Sequence, residues 1–286
     1  MKMSKRLRDM IARSQALVAP GAYDGLSARL IALGGFEAVY ASGGAIARST
    51  GIPDLGLMSL AEVVDRLTTM VDAVSIPIIA DADTGYGNAL NAQRTAKAFE
   101  RAGVAALHLE DQQFPKRCGH YDDKAIVPAH EMTQKIRAVR DALSDDDFVI
   151  IARTDGLAVE GYERTIERAH QYMEAGADMI FVEAPTTVEE IEAVARDLPY
   201  PKLINMFKGG KTPFVPSERL AALGYRIVIV PSDLQRAAIK GMEIALEAIR
   251  SGKEDHPGYD AMVSFKEREA RIGTTAYLER EARYAS

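Results

Sequence analysis

The only cysteine of the chain, Cys118, lies among cationic side chains. Lys116 and Arg117 precede it directly, and Gly119 and His120 follow it. Cations beside a thiol favour the thiolate form, so this stretch is typical of a reactive cysteine and not of one that fills a core. A lone cysteine is more often inert than reactive, however, and the rest of the chain has to indicate a reaction for it.

Acidic side chains end several of the short apolar runs of the chain. Asp81 and Asp83 end one run, Glu110 ends the next, and Glu183 ends a later one. If these runs are parallel strands of one barrel, their carboxyl ends meet at one rim, where so many carboxylates would repel one another without a cation. Carboxylate ligands favour Mg2+ or Mn2+ over Zn2+. The sequence therefore predicts a divalent metal site, with turn and helix-cap chemistry as the alternative for the two aspartates.

Other residues at the ends of apolar runs are suited to bind a carboxylate. Ser42, Gly43 and Gly44 offer a hydroxyl group and flexible backbone amides that can approach such a group closely. Arg153 can bind a carboxylate through two parallel hydrogen bonds. A simple turn is the alternative for the first three residues, and an ion pair with an acid of the rim is the alternative for Arg153.

The elements that position these residues alternate along the chain between short apolar runs and longer amphipathic ones. Stretches 88–103 and 161–176 have helical periodicity and end in glycine. Eight runs rich in Val, Ile and Ala are predicted as strands: 16–21, 37–42, 76–83, 105–111, 148–154, 178–184, 202–207 and 226–232. Eight strand–helix units predict a (β/α)8 barrel. A doubly wound open sheet is the alternative, but the first turn lacks its glycine spacing.

The composition excludes several classes of protein. The chain has 286 residues, 47% of them hydrophobic, which is enough for a sizeable core. A net charge of -6 makes a nucleic-acid partner an unfavoured interpretation. One cysteine excludes an internal disulfide and indicates a reducing compartment. The N-terminus has no signal-like apolar region, and no apolar run is as long as a membrane span. We therefore expect a cytoplasmic protein without a membrane partner.

The segment after the eighth predicted unit differs from the barrel. We predict a catalytic barrel over residues 1–250 and a C-terminal helical arm over residues 251–286. The arm carries apolar residues at helical spacing, namely Met262, Phe265, Ile272, Tyr277 and Leu278. Such an arm needs a surface to pack on. It either caps its own barrel or packs on a neighbouring subunit.

Several motifs of the chain resemble those of the isocitrate lyase/phosphoenolpyruvate mutase superfamily. The resemblance runs from about residue 16 to the C-terminus and rests on "YASGGA", "DADTGYGN", "HLEDQ", "KRCGH", "ARTD", "FVEAP" and "NMFKGGKTP". The "KRCGH" loop is the most specific of them, because it marks the carbon–carbon lyase branch. The phosphonate branch has a different loop at this place.

The resemblance implies an architecture and a set of site residues. It implies a (β/α)8 barrel whose last helix is swapped between subunits, commonly in a homotetramer that is a dimer of dimers. It implies Mg2+ held by Asp81, Asp83 and Glu110, and Cys118 as the general acid. Tyr40 is a candidate for the base, with a metal-bound water or a glutamate as alternatives. Further expected site residues are Ser42, Gly43, Gly44, Gly119, His120, Arg153, Glu183, Asn205 and Arg236 at a di- or tricarboxylate substrate, with Asp54, Lys116, Arg117 and His108 nearby.

The resemblance also narrows the activity. It implies Mg2+-dependent cleavage of a 2-alkylmalate, such as 2,3-dimethylmalate, to pyruvate and propionate. Phe265 aligns with an arginine that binds a third carboxylate in 2-methylisocitrate lyases, which favours this choice. Arg236 matches an arginine at the substrate of those same enzymes and keeps 2-methylisocitrate as the alternative. Oxaloacetate hydrolysis or decarboxylation, phosphonate mutase chemistry and a non-enzymatic binding role are more distant alternatives.

Overall fold

Eight parallel strands form a closed barrel in the computed structural model, which describes residues 1–119 and 124–285. Neighbouring strands follow one another in the chain, and the last pairs with the first to close the barrel. The strands are β1 Leu17–Ala22, β2 Val39–Ala41, β3 Ile78–Asp81, β4 Ala106–Glu110, β5 Val149–Thr154, β6 Met179–Val182, β7 Lys202–Asn205 and β8 Tyr225–Val230. Each lies within a predicted run or overlaps it. The (β/α)8 barrel is confirmed, and the open sheet is wrong.

Helices surround the barrel and extend beyond it. They are α1 Met3–Ile11, α2 Gly25–Leu33, α3 Gly43–Ser49, α4 Leu60–Ala73, α5 Ala89–Ala102, α6 Ala129–Ala142, α7 Gly156–Val159, α8 Tyr162–Glu174, α9 Val188–Asp197, α10 Ser217–Ala222, α11 Asp233–Ser251, α12 Phe265–Ile272 and α13 Thr274–Tyr284. The two predicted amphipathic helices are α5 and α8. Gly103 and Gly176 follow them with φ of 91° and 110°, a conformation that ends a helix and favours glycine. Among the described residues, none of the helices combines the length and the apolar character needed to cross a membrane.

Helix α1 closes the N-terminal end of the barrel. Its Leu7 and Met10 are buried against inward-facing strand residues such as Ile151 and Ile227. Arg8 of the same helix holds Asp178 at 2.9 Å, just before β6. With this end filled by apolar side chains, a polar site can form only at the opposite end, where the carboxyl ends of the strands meet.

The chain after β8 packs less tightly than the rest. Of the 19 residues of α11, all of which the structure describes, Gln235 and Ala248 are buried. A short 3-10 helix, Pro257–Tyr259, contacts α11, and α12 contacts α2 of the same chain. In α12 and α13, both fully described, all residues are at least partly exposed. The division into a barrel and an arm at residues 250 and 251 stays a prediction.

Candidate active site

A pocket of about 290 Å3 opens at the C-terminal end of the barrel. The carboxyl ends of β2, β3 and β5 to β8 contribute to it, as does the loop after β4 with Lys116, Cys118 and Gly119. Twenty of the described residues line it, among them the predicted Tyr40, Ser42, Gly44, Asp54, Asp81, Lys116, Cys118, Gly119, Arg153, Glu183, Asn205 and Arg236. The barrel therefore brings residues that are distant in the chain around one small cavity.

The turn after β2 brings Gly43 against the pocket wall, although Gly43 itself does not line the pocket. The backbone N–H of Gly43 donates to Asp81 Oδ2 at 3.2 Å, and a Cβ on Gly43 would lie only 2.7 Å from the same oxygen. Glycine is thus required there for close approach. Ser42 accepts a hydrogen bond from Ala45 N and caps α3, so it serves the turn as well as the pocket.

Lys116 lies between two carboxylates beside the pocket. Its ammonium contacts Asp54, and it lies 2.9 Å from Asp83 Oδ1. Burial alone would lower the pKa of Lys116, but Asp83 and Asp54 outweigh it and hold the pKa well above the usual range. A cation of the chain itself therefore neutralises part of the acid charge, which the sequence argument for a divalent ion did not take into account.

Arg153 occupies the centre of a second group of acids. Its Nη1 lies 3.1 Å from Glu110 Oε2, and it donates from Nε and Nη2 to Asp155 Oδ2 and Oδ1 at 2.9 and 3.1 Å. Glu183 Oε2 lies 3.9 Å from Nε. The predicted alternative, an ion pair with rim acids, is thus present. Because Arg153 also lines the pocket, it can contact a ligand while these acids fix its orientation.

Tyr40, His108 and Asp81 form a buried hydrogen-bonded group. Tyr40 Oη lies 2.8 Å from His108 Nε2 and donates to Asp81 Oδ2 at 3.3 Å. Burial lowers the pKa of His108 to about 4, so the imidazole is neutral at pH 7. Burial and the nearby Asp81 raise the pKa of Tyr40 well above 10. A phenol that holds its proton so firmly is a hydrogen-bond donor, which disfavours the assignment of Tyr40 as the base.

The loop after β4 places the cysteine at the pocket. Cys118 is partly exposed and lines the cavity. A Cβ on Gly119 would lie 2.5 Å from both Arg153 Nη2 and Glu183 Oε1, so the backbone after Cys118 lies directly on these groups. Arg117 is exposed and is not part of the pocket wall, although it was expected near the site. Its backbone is held by Gln112 through two hydrogen bonds of 2.9 Å. The predicted His120 lies outside the described residues.

Comparison with known proteins shows which family this chain belongs to. The model of the family described as phosphoenolpyruvate phosphomutase matches residues 7–250. The chain belongs to the phosphoenolpyruvate mutase/isocitrate lyase superfamily. The resemblance predicted from "DADTGYGN" and "KRCGH" is confirmed.

Relatives within the superfamily cover the chain almost completely. The chain is 40% identical over 287 residues to 2,3-dimethylmalate lyase of Eubacterium barkeri, covering 100% of this chain and 99% of the relative. It is 42% identical to 2-methylisocitrate lyase of Aeropyrum pernix, covering 96% of this chain and 89% of the relative. A solved structure of phosphonopyruvate hydrolase with oxalate and Mg2+ has a TM-score of 0.89 at 30% identity, covering 100% of each chain.

The acids of this superfamily member fit a hard cation such as Mg2+. Glu110 is fully buried, and neither of its carboxylate oxygens accepts a hydrogen bond within the described part of the chain. Burial raises the pKa of Glu110 well above its usual range, although Arg153 opposes this. Burial and the neighbouring acids raise the pKa of Asp83 to about 6. Besides its ion pair with Arg153, Glu110 thus keeps lone pairs available, and carboxylate oxygens of this kind are suitable ligands for Mg2+.

The geometry also limits how such an ion would be held. In residues 1–119 and 124–285, no three His, Cys, Asp or Glu side chains converge closely enough to enclose a metal. Mg2+ usually keeps several waters and is bound through one or two carboxylates, so a complete cage is not required. The ligand set Asp81, Asp83 and Glu110 therefore stays a prediction.

Sequence reasoning missed several residues that shape this superfamily site. Asp155 was not among the predicted site residues, although it fixes Arg153. Its position two residues after Arg153 was the signal, since such residues point to the same face of an extended chain. Lys124 was not noticed at all, and nothing in its local sequence indicates burial. Phe207 and Ile239 line the pocket from a loop and from α11, where the sequence has no strand-end pattern to mark them.

Proposed function

We propose that the protein is a carbon–carbon lyase that cleaves a 2-hydroxy dicarboxylic acid to pyruvate and a second carboxylic acid. The observation that carries the proposal is that the Cys118 thiol shares a pocket of about 290 Å3 with Arg153 and Asp81. A proton donor, a carboxylate-binding cation and a carboxylate for a metal are the groups that this cleavage needs. The names of the relatives, 2,3-dimethylmalate lyase and 2-methylisocitrate lyase, support the same reaction.

Each of these pocket residues has a separate role in the proposed reaction. Arg153 and the backbone amides near Gly43 and Gly44 bind the carboxylate next to the hydroxyl group and orient the substrate. A glutamate of the pocket, for which we propose Glu183, accepts the hydroxyl proton. The C2–C3 bond then breaks, and its electron pair stays on the carboxylate fragment, which gains carbanion character. Cys118 then donates its proton to that carbon. Tyr40 stays protonated and donates a hydrogen bond within the site.

Mg2+ is the cofactor that we propose, with Mn2+ as an alternative. Asp81, Asp83 and Glu110 would hold it, directly or through water. When bound, it supplies a positive charge that stabilises the 2-oxo acid as it forms. The solved phosphonopyruvate hydrolase with oxalate and Mg2+ supports the choice of metal.

For the substrate we propose a 2-alkylmalate such as 2,3-dimethylmalate. The apolar side chains of Phe207, Ile229 and Ile239 line the pocket and can contact an alkyl substituent. The argument from Phe265 is different, because this side chain is 72% exposed and is absent from the described lining of the pocket. Phe265 can therefore contact substrate only in the site of a neighbouring subunit.

A specific observation favours 2-methylisocitrate as a second candidate. Arg236 lines the same pocket, and its Nη1 donates to the carbonyl of Lys208 at 2.7 Å. A guanidinium group in this place can bind the third carboxylate of 2-methylisocitrate. Identities of 40% and 42% to the two kinds of lyase do not separate these candidates.

The test measures release of a 2-oxo acid in the presence of Mg2+. Pyruvate is followed from 2,3-dimethylmalate and 2-methylisocitrate, the corresponding 2-oxo acid from other 2-alkylmalates and glyoxylate from isocitrate, with oxaloacetate followed separately. Preference for the alkylmalates would indicate that the apolar side chains of Phe207, Ile229 and Ile239 determine the specificity. Preference for 2-methylisocitrate that is lost in Arg236→Met would select the second candidate. No cleavage of any of the hydroxy acids would refute the lyase proposal and direct the search to oxaloacetate hydrolysis and phosphonates.

We also propose that α11 is exchanged between subunits of a homodimer and that two dimers form a tetramer. The exposed side chains Ile239, Met242, Leu246 and Ile249 recur on one face of α11 at intervals of three and four residues. An apolar stripe of this kind is normally buried. Here it needs a partner surface, because the rest of the described chain leaves it exposed.

A matching surface exists on the outside of the barrel. A groove of about 620 Å3 is lined by Val18 of β1 and by Val228 and Val230 of β8, together with residues of the loop after β7. In a (β/α)8 barrel the helix after the eighth strand covers this position. The α11 stripe of a second copy would bury the apolar groove, which supports the exchange of this helix.

A further inference from the structure

A buried lysine connects the cysteine loop to the residues that fix Arg153. The Lys124 ammonium donates to the backbone carbonyl of Gly119 at 2.6 Å and to Asp155 Oδ1 at 2.8 Å. Its side chain is 1% exposed, and the carboxylate of Asp155 is fully buried. Gly119 directly follows Cys118, so Lys124 binds the backbone one residue away from the thiol.

Asp155 is itself held firmly, so it can act as a fixed anchor. Its backbone N–H donates to Asp111 Oδ1 at 2.9 Å. The other oxygen of Asp111 accepts hydrogen bonds from Thr154 Oγ1 at 2.7 Å and from Tyr172 Oη at 2.8 Å. These contacts attach the end of β5 to the end of β4 and to α8.

The same carboxylate of Asp155 serves Arg153 and Lys124. Arg153 donates to it twice, at 2.9 and 3.1 Å. A lysine is not needed to pair Asp155, because the guanidinium of Arg153 already does so. The additional role of Lys124 is its bond to the Gly119 carbonyl, which only a long side chain with several donors can make at the same time.

We propose that Lys124 is a positioning residue for Cys118, linking the thiol to the group that binds the substrate carboxylate. The Asp155 carboxylate holds Arg153 directly and the Gly119 backbone through Lys124, so it fixes the positions of both. The distance from the bound substrate to the proton donor then follows from one shared anchor. This inference rests on the proposed function only in naming Cys118 as the proton donor and Arg153 as the group that binds the substrate carboxylate, since the contacts themselves do not depend on the reaction.

The experiment measures the alkylation of Cys118 by iodoacetamide in Lys124→Met as a function of pH. Because the chain has one cysteine, every modified thiol reports on this position. Losing one charge-assisted hydrogen bond should raise the population of displaced loop, and with it the limiting rate at high pH, roughly ten- to a hundredfold. Turnover should fall by a similar factor in kcat, with a smaller change in KM, because Arg153 stays paired.

Lys202→Met is the matched control, since Lys202 is also buried and donates to two backbone carbonyls, of Leu198 and Tyr200. Those contacts lie away from the pocket, so the alkylation rate should not change. Binding of oxalate with Mg2+ reports whether Lys124→Met keeps a folded site. If this variant does not fold, the same measurement is made on Lys124→Gln.

An unchanged limiting rate of alkylation in the folded variant would overturn the proposal. A change only in the pH midpoint would also overturn it, because it would show an effect of charge on the thiol and not of position. If the wild-type protein cleaves none of the tested acids, the lyase proposal fails while the alkylation experiment still decides the role of Lys124.

Discussion

Glu110 and Arg153 are direct neighbours on β4 and β5, and their side chains meet at 3.1 Å across the strand pair. The acid that best fits a metal is therefore also the partner of the arginine that best fits the substrate carboxylate. This pairing explains how the barrel can bury so many acids, because Arg153 and Lys116 neutralise them in part. It also means that a change to one of these groups should alter the others, which leads to several predictions.

Replacing Arg153 should separate its structural role from its role in binding. Arg153→Lys keeps the charge but cannot contact Glu110 and Asp155 in the same forked geometry, so we expect kcat/KM to fall by roughly a hundredfold or more. Arg153→Met removes the cationic partner of the buried Glu110, leaves Asp155 with Lys124 alone, and should lower the free energy of unfolding by about 3–5 kcal/mol. Steady-state kinetics and urea unfolding test both. Equal stability of Arg153→Met and wild type would contradict this account.

Replacing Cys118 should affect the chemical step and not the binding of a ligand. Cys118→Ser nearly retains the size of the side chain, but the serine hydroxyl is a far weaker acid than the thiol. We therefore expect kcat to fall by about 10²–10⁴-fold. Binding of oxalate with Mg2+, measured by calorimetry, should stay within a few-fold of the wild type. Near-normal turnover of the best substrate by Cys118→Ser would exclude the general-acid assignment.

Removing the metal should abolish turnover without unfolding the protein. Chelation should stop pyruvate release, and Mg2+ or Mn2+ should restore it. The melting temperature should change little, because Lys116 and Arg153 still pair with the acids around them. Thermal unfolding with and without a chelator measures this. A large loss of stability on chelation would show that the metal, and not these two cations, holds the acids together.

The buried Asp155 should make the protein sensitive to acid. Burial alone would raise the pKa of Asp155, but Arg153 and Lys124 outweigh it and lower the pKa to about 2. Its ionised form then contributes stability above the unfolded pKa of about 4, on the order of 2 kcal/mol, and this is lost as the pH falls from about 4 towards 2. Urea unfolding of Asp155→Asn should therefore depend less on pH in this range. The exposed Asp72→Asn is the control and should keep the wild-type slope.

The apolar stripe of α11 should determine the oligomeric state. Leu246→Glu places a charge in the middle of the stripe and should release smaller species, down to monomers. Glu247→Gln, at an exposed position next to it, should leave the assembly unchanged. Light scattering after size exclusion measures the mass of both. An unchanged mass for Leu246→Glu would indicate that this face of α11 is not covered by a second copy.

Much of the fold was predictable because the strands are short apolar runs that end in polar residues. Burial on both faces makes a parallel strand continuously hydrophobic. A run such as "FVIIART" therefore predicts a strand and also shows which polar residues lie at its carboxyl end. The closure of the sheet followed from the number of strands. The extent of α11 and its poor packing were not visible locally, since the sequence shows an amphipathic helix whether its partner is its own barrel or another subunit.

The site was predictable to the extent that its residues follow strands. Asp81, Arg153 and Glu183 are such residues, and each lines the pocket. The pairing among them was not predictable, because a charge in the sequence does not show which opposite charge will contact it. The divalent ion was inferred from repulsion among acids, yet Lys116 reaches those acids from a loop. Lys124 was missed for the same reason, since its role depends on contacts made only in the folded chain.

The closure of the barrel has a consequence for how the protein is made. Leu17 of β1 lies opposite Ile227 of β8, so one of the first strands to be synthesised pairs with the last. Helix α1, which precedes β1, occupies the interior that only the complete ring of strands encloses. During synthesis its apolar face has no finished surface to bind until β8 has left the ribosome. Leu7 and Met10 therefore lack their native contacts while the strands from β1 to β8 are being synthesised, and during that time they are exposed to aggregation.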